Sequence, residues 1–177
     1  MDKPNTRESA RHNGRGIFAY LWISICTLMA GCIQTGFFAA LPIFGTAPDL
    51  NLVFVSAVAM KWGAKKGTVA GLSAGIVMSA LSPGSHLSLI FYFALGVAIG
   101  VLFEASSRGR LLTFLITVGA AALLRMSVTF FELCLFVPTF GFTAALTKLI
   151  LPNFAATLLF SPLLYPIAAE KRDRSKS

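Results

Sequence analysis

Charge is what this sequence has least of. Only 12% of its 177 residues are Asp, Glu, Lys or Arg, against about 25% in an ordinary soluble domain. Seven residues are acidic, 56% of the chain is apolar, and the mean hydropathy is +0.77. This shortage of charge excludes a soluble domain and predicts an integral membrane protein, whose length suits one compact domain.

Cysteine and histidine are also scarce, with three and two residues. Cys26, Cys32 and Cys134 all lie in apolar runs, without a CxxC motif or a Cys/His cluster, which predicts small buried hydrophobic side chains. The sequence also lacks HExxH, GxSxG and a phosphate-binding loop, the short motifs that mark common catalytic sites. We therefore expect no enzyme activity, no metal and no cofactor.

The surplus of basic residues has a membrane explanation. A net charge of +8 would suit nucleic acid, but the basic residues cluster at the ends of apolar segments, as membrane topology requires. We therefore expect membrane lipids as partners and no nucleic acid. Lys61, Lys65 and Lys66 are predicted to anchor a turn on the cytoplasmic side, where they meet anionic headgroups.

Six apolar segments predict an all-α, polytopic bundle of six transmembrane helices, because about 20 helical residues cross ~30 Å of hydrocarbon. The predicted spans are about 17–41, 49–62, 66–82, 87–103, 111–137 and 148–169, in one domain between basic tails at 1–16 and 170–177.

The distribution of Lys and Arg predicts the topology. They occur in both tails and in the 61–67 and 104–110 loops, whereas the 42–51, 82–86 and 138–147 loops have none, with Lys148 at the edge of the last. This alternation predicts six helices with both termini in the cytoplasm. The second and third segments are short, so a re-entrant pair that does not cross the membrane is the alternative.

Small residues recur every fourth position behind the lysines. Residues four apart share one helix face, and in lipid a row of small residues lets helix backbones approach closely. We predict a packing surface, either for a partner protein or for another helix of the same bundle, in which case Gly96 and Gly100 are the candidate mate. The row consists of Gly63, Gly67, Gly71, Gly75 and Ser79.

Two charged residues lie inside the fifth apolar run. Arg125 and Glu132 are seven apart, so they share nearly one face with a rise of about 10 Å between them. Charges at this depth usually face a bundle interior. We favour a structural polar seam that fixes helix rotation over a substrate or ion site.

Four polar residues form a candidate pocket at the outer side of the membrane. Asp49 and Asn51 precede the second helix and have the composition of turn and cap residues. His86 lies in an outer loop and Glu132 near the outer end of its helix. These residues would matter most if the protein bound a small ligand.

One long stretch resembles a known family. APDLNLVFVSAVAMKWGAKKGTVAGLSAGIVMSALSPGSHLSL is similar to the central part of the MreD family, small rod-shape-determining membrane proteins. ILPNFAATLLFSPLLYP is similar to the last helix of that family, and together the resemblance covers about residues 47–166. Two positions depart from the family pattern, Ser79 where Asp is common and Ser88 where glycine is usual. The matching features are Pro48, the basic turn 61–66, Gly67, Gly71, Gly75, the 82–85 loop, Pro152, Asn153 and Pro162.

The resemblance implies a non-enzymatic scaffold of the bacterial inner membrane that binds MreC and other cell-elongation proteins and helps to control cell shape and peptidoglycan synthesis. The sequence leaves open whether the protein forms a homo-oligomer. It also implies a fold similar to the substrate-binding S-components of energy-coupling-factor vitamin transporters, and such an S-component is the alternative function. S-components typically couple through an AxxxA-like pair in the first helix, for which Cys32 and Gly36 are only a loose version. A channel, the third class, would need a filter that the sequence does not show.

Overall fold

The computed structural model describes residues 6–40, 45–81, 87–104, 111–136, 147 and 150–169. All regular elements in these ranges are helices, so the predicted all-α class is confirmed. The helices, in chain order, are α1 (Thr6–Cys32), α2 (Leu50–Trp62), α3 (Ala64–Leu81), α4 (Ser88–Glu104), α5 (Leu111–Phe136) and α6 (Leu151–Ala169). The first helix continues beyond α1 through a π-helical turn, Ile33–Phe37, and a short α-helical end, Phe38–Ala40.

Three helical segments in the described part of the chain are long and apolar enough to cross a membrane, namely Ile17–Phe37, Leu111–Leu135 and Leu151–Ala168. Two shorter apolar helices cover Leu50–Trp62 and Ser88–Phe103. A membrane protein is therefore supported, and the number of crossings stays a prediction. The first helix starts at Thr6, inside the predicted tail, because no proline interrupts the chain from there to Ala40.

Helix α2 forms the centre of the bundle, since it contacts each of the other five helices. Its apolar side chains are buried on every side, and Leu52, Val53, Val55 and Val58 have no exposed surface. A helix that is apolar all round is expected in such a position. The apolar run that predicted a membrane span is thus the core of the protein.

The turn between α2 and α3 depends on Gly63. Its φ of 78° is one that residues with a Cβ rarely adopt. Its N–H donates to the Ala59 carbonyl at 2.9 Å, and its own carbonyl accepts from Gly67 N at 3.0 Å. One glycine therefore ends α2 and starts α3, which differs from its predicted place on the face of a single helix.

Helices α3 and α4 pack with their backbones in direct contact. A Cβ on Gly67 would lie 2.6 Å from the carbonyl oxygen of Gly96, and one on Gly75 would lie 2.7 Å from Leu89 Cα. A Cβ on Gly71 would overlap the Tyr92 carbonyl, and one on Gly100 would overlap Ala64 Cα. Small residues are therefore required on both helices.

The structure places most of the predicted row of small residues inside the bundle. Gly67, Gly71 and Gly75 face α4, and the opposing glycines, Gly96 and Gly100, are those expected from the sequence. Ser79, near the C-terminal end of α3, is exposed. The part of the row that packs against α4 is not available to a partner protein.

The cysteine expectation is wrong for two of the three residues. Cys26 is half-buried, whereas Cys32 and Cys134 are exposed free thiols. An apolar side chain on a membrane helix does not have to be buried in the protein core, because the outer face of the helix contacts lipid instead of water.

We expect Gly71→Ala to separate α3 from α4, because the added methyl group would overlap the Tyr92 backbone. Overpacking of this kind costs about 2 kcal/mol of unfolding free energy, measured as a lower Tm in detergent. Gly119→Ala is the matched control, since its Cβ would be 3.8 Å from the nearest neighbour and alanine favours the helix. A Tm for Gly71→Ala equal to or above that of Gly119→Ala would contradict the packing argument.

Candidate functional site

Asp49 caps the N-terminal end of α2 inside the protein. Only 5% of the residue is exposed, and its Oδ1 accepts a hydrogen bond from Leu52 N at 3.0 Å. Its backbone carbonyl accepts from Val53 N at 3.3 Å. Helix ends leave backbone donors unbonded, so this carboxylate satisfies one of them and also places negative charge at the positive end of the helix.

Two other groups satisfy the remaining donors of this helix end. Leu50 N donates to the Pro48 carbonyl at 3.1 Å. Asn51 N donates to Oε1 of Gln34 at 3.3 Å, and Gln34 belongs to the π-helical turn that follows α1. The first four N–H groups of α2 therefore all have acceptors, one of them from another helix.

Asp49 also joins α2 to α4 and α6. Its Oδ2 accepts from the Tyr92 hydroxyl at 2.5 Å, and its backbone N–H donates to Thr157 Oγ1 at 3.0 Å. Asn153, one turn before Thr157, donates from Nδ2 to the Ala47 carbonyl at 2.7 Å. Three helices meet at Asp49, through its carboxylate and its backbone N–H, with hydrogen bonds that lipid cannot supply.

Arg125 approaches the same network from α5. Its Nη2 donates to Ser88 Oγ at 2.8 Å, and its Cζ lies 5.4 Å from the Phe91 ring centre and 5.5 Å from that of Tyr92. A guanidinium at this distance is attracted to the face of an aromatic ring. Tyr92 thus contacts both Arg125 and Asp49.

Glu132 binds the chain just before α4. It is 6% exposed, and its Oε1 accepts from Leu87 N at 2.7 Å. A carboxylate is favourable near the N-terminus of a helix. Arg125 and Glu132 therefore both bond α5 to the N-terminal end of α4, the position that a polar seam between helices would have.

The structure describes three of the four residues of the predicted outer pocket and connects two of them. Asp49 and Glu132 belong to one network, through Tyr92, Arg125 and the start of α4. The backbone of Asn51 bonds to the first helix instead, and His86 lies outside the described residues.

An apolar groove of about 440 Å³ lies between α4 and α5. Eight apolar residues and Ser127 line it, among them Phe91, Leu95 and Leu124. A site for a polar small molecule needs several convergent polar groups, and this lining supplies one hydroxyl.

Two of the three lysines of the basic turn lie over an indole ring. Lys61 Nζ lies 4.6 Å and Lys66 Nζ 5.4 Å from the ring centre of Trp62, while Lys65 is exposed. Lysines beside a Trp at the end of membrane helices suit an interface with anionic headgroups.

Sequence reasoning missed Tyr92, Gln34 and Thr157. Each is a polar side chain inside an apolar run, which is the signal that singled out Arg125 and Glu132. Applied to uncharged side chains, the same signal would have found them. Among the described residues there is no group of three or more His, Cys, Asp and Glu that could hold a metal ion.

Comparison with models of known protein families, with curated proteins and with solved structures finds no match to this chain. The resemblance to the MreD family therefore stays a prediction from the quoted motifs.

We expect Tyr92→Phe to weaken the joint between α2 and α4, because it removes the hydroxyl that donates to Asp49. The loss of a hydrogen bond to a buried charged group costs about 2 kcal/mol, measured as a lower Tm in detergent. Tyr20→Phe is the matched control, because it removes a tyrosine hydroxyl far from this joint. Tyr20 lies about 20 Å along the first helix from Gln34, which is the residue of that helix that bonds to the start of α2. Equal Tm values for the two variants would show that the bond to Asp49 contributes nothing.

Proposed function

We propose that the protein is a non-enzymatic scaffold of the bacterial inner membrane that binds a single-span protein of the MreC type. In this role it helps to control cell shape and peptidoglycan synthesis. The observation that carries the proposal is that the described ionisable groups inside the bundle bond to neighbouring helices. Asp49 bonds to Tyr92, Arg125 to Ser88 and Glu132 to Leu87, so these groups hold helices together.

The composition of the groove supports the same proposal. A carrier for a polar substrate would present polar groups to a cavity, whereas the groove between α4 and α5 is almost wholly apolar. The sequence resemblance supplies the identity of the partner. Because α4 covers Gly67, Gly71 and Gly75, the partner helix would pack on the lipid-facing surface.

The proposed topology has six crossings and both termini in the cytoplasm. Helices α2, α3 and α4, with 13, 18 and 17 residues, are about 20, 27 and 26 Å long, against ~30 Å of hydrocarbon. The short length of α2 is acceptable because α2 contacts each of the other five helices and is therefore surrounded mainly by protein. The lysines of the basic turn then lie at the cytoplasmic surface.

A single cysteine at Lys65 tests this topology. In a variant whose three native cysteines are replaced, we expect Lys65→Cys to react with a membrane-impermeant maleimide in inside-out vesicles only. His86→Cys, in the predicted outer loop, is the control and should react in right-side-out vesicles only. Reaction of Lys65→Cys from the outer side would support the re-entrant pair and contradict six crossings.

An S-component of a vitamin transporter is the second candidate. The observation that favours it is that Asp49, Asn51 and Glu132 are all buried and belong to the N-terminal ends of α2 and α4 or to their direct partners. In this alternative they would form part of a pocket at the outer side of the membrane.

Co-purification in mild detergent distinguishes the two functions. We expect the tagged chain to retain an MreC-type single-span protein and no vitamin, measured by mass spectrometry of bound proteins and small molecules. Membranes of the same host without the tagged chain are the control for background. A vitamin-like compound, or ATPase subunits that follow the chain, would replace the scaffold with the S-component.

A further inference from the structure

The carboxamide of Asn51 is buried without a bonding partner from the described protein. The residue has no exposed surface, and neither Nδ2 nor Oδ1 has a hydrogen-bond partner. A carboxamide offers two donors and an acceptor. Buried polar groups without a partner are rare because they lose their bonds to water and gain none in return.

The backbone donors at the start of α2 and the carboxylate of Asp49 are satisfied, unlike the side chain of Asn51. The four N–H groups at the start of α2 all have acceptors, and the carboxylate of Asp49 accepts two bonds. Gln34 Oε1 is also engaged, by the backbone of Asn51 itself. The unbonded carboxamide of Asn51 is therefore not explained by loose packing at this end of α2. It is also not explained by the unpaired backbone donors that a helix N-terminus leaves, because these donors all have acceptors here.

The carboxamide lies against the first helix. A Cβ on Gly31 would be 3.1 Å from Asn51 Nδ2, and the π-helical turn begins two residues later, at Ile33. Turns of this kind occur frequently at functional sites. Thr46, in the segment that leads into α2, is 8% exposed and its Oγ1 likewise has no partner.

We propose that Asn51 binds a small neutral molecule between the first helix and α2, through groups that both donate and accept hydrogen bonds. A cation would satisfy Oδ1 and be repelled by the two hydrogens on Nδ2, and an anion would satisfy only Nδ2. The complete burial of Asn51 restricts the ligand to water or a small solute with a hydroxyl or amide group. This site is separate from the scaffold function.

A structure of the wild-type chain in lipid nanodiscs, at a resolution that shows ordered solvent, tests the proposal directly. We expect density at about 2.7 to 3.2 Å from Nδ2 or Oδ1 of Asn51. Native mass spectrometry of the same sample distinguishes the two sources, since a retained small mass identifies a solute and its absence identifies water. A well-resolved Asn51 with no such density would overturn the proposal.

Asn51→Leu gives a second test, because leucine has a similar volume and no polar atom. If the carboxamide binds a ligand, its Tm in detergent should fall by about 4 °C or more relative to wild type. If the carboxamide has no partner, the same substitution should raise the Tm, and that result would overturn the proposal. Ser56→Ala is the control, since Ser56 is equally buried in α2 but donates to the Leu52 carbonyl at 2.8 Å. If Asn51→Leu fails to fold, the density beside Asn51 in the wild-type structure decides whether the proposal holds.

Discussion

The hydrogen bonds of Asp49 are the interaction on which the arrangement of the helices most depends. Its carboxylate caps α2 and accepts from Tyr92 of α4, while its backbone bonds to Thr157 of α6. In lipid, apolar packing gives little preference for protein over acyl chains, but a polar group without a partner is costly. Because α2 contacts every other helix, fixing its N-terminal end sets the relative positions of its neighbours.

Close backbone contact and polar bonding act together on α4. Gly71 brings α3 against the backbone of Tyr92, and the side chain of the same Tyr92 reaches Asp49 in α2. A larger residue in place of Gly71 would displace the backbone from which that hydroxyl is presented. Farther along α4, Gly96 and Gly100 keep the contact with α3. The glycines therefore support the hydrogen-bond network as well as the packing.

The sequence predicts those features that depend on local pattern, including the glycines through which α3 and α4 meet, and it misses the hydrogen-bond partners that polar side chains find on other helices. Low charge and apolar runs predicted the helices, the four-residue spacing predicted that Gly67, Gly71 and Gly75 pack, and Asp49 was predicted as a turn or cap residue. The partners of Asp49 and Asn51 could not be read in this way, because Tyr92 and Gln34 are 43 and 17 residues away. The seven-residue spacing of Arg125 and Glu132 predicted that they share one face of α5. That both bond to the start of α4 could not be predicted, because it depends on how α4 is positioned against α5.

The way in which the polar groups are used bears on what the protein can do. Asp49 accepts the hydrogen bond of the Tyr92 hydroxyl, and Arg125 lies near the ring of the same side chain, so both charged residues are held by contacts inside the bundle. To pass an ion or a polar substrate between these groups, the bundle would have to break bonds that hold α2, α4 and α5 together. A scaffold needs no such step.

Asn51 differs, because its carboxamide has bonding capacity left. A ligand that bound to this carboxamide would leave the hydrogen bonds of Asp49 intact. Any small molecule bound inside the bundle is therefore expected between the first helix and α2.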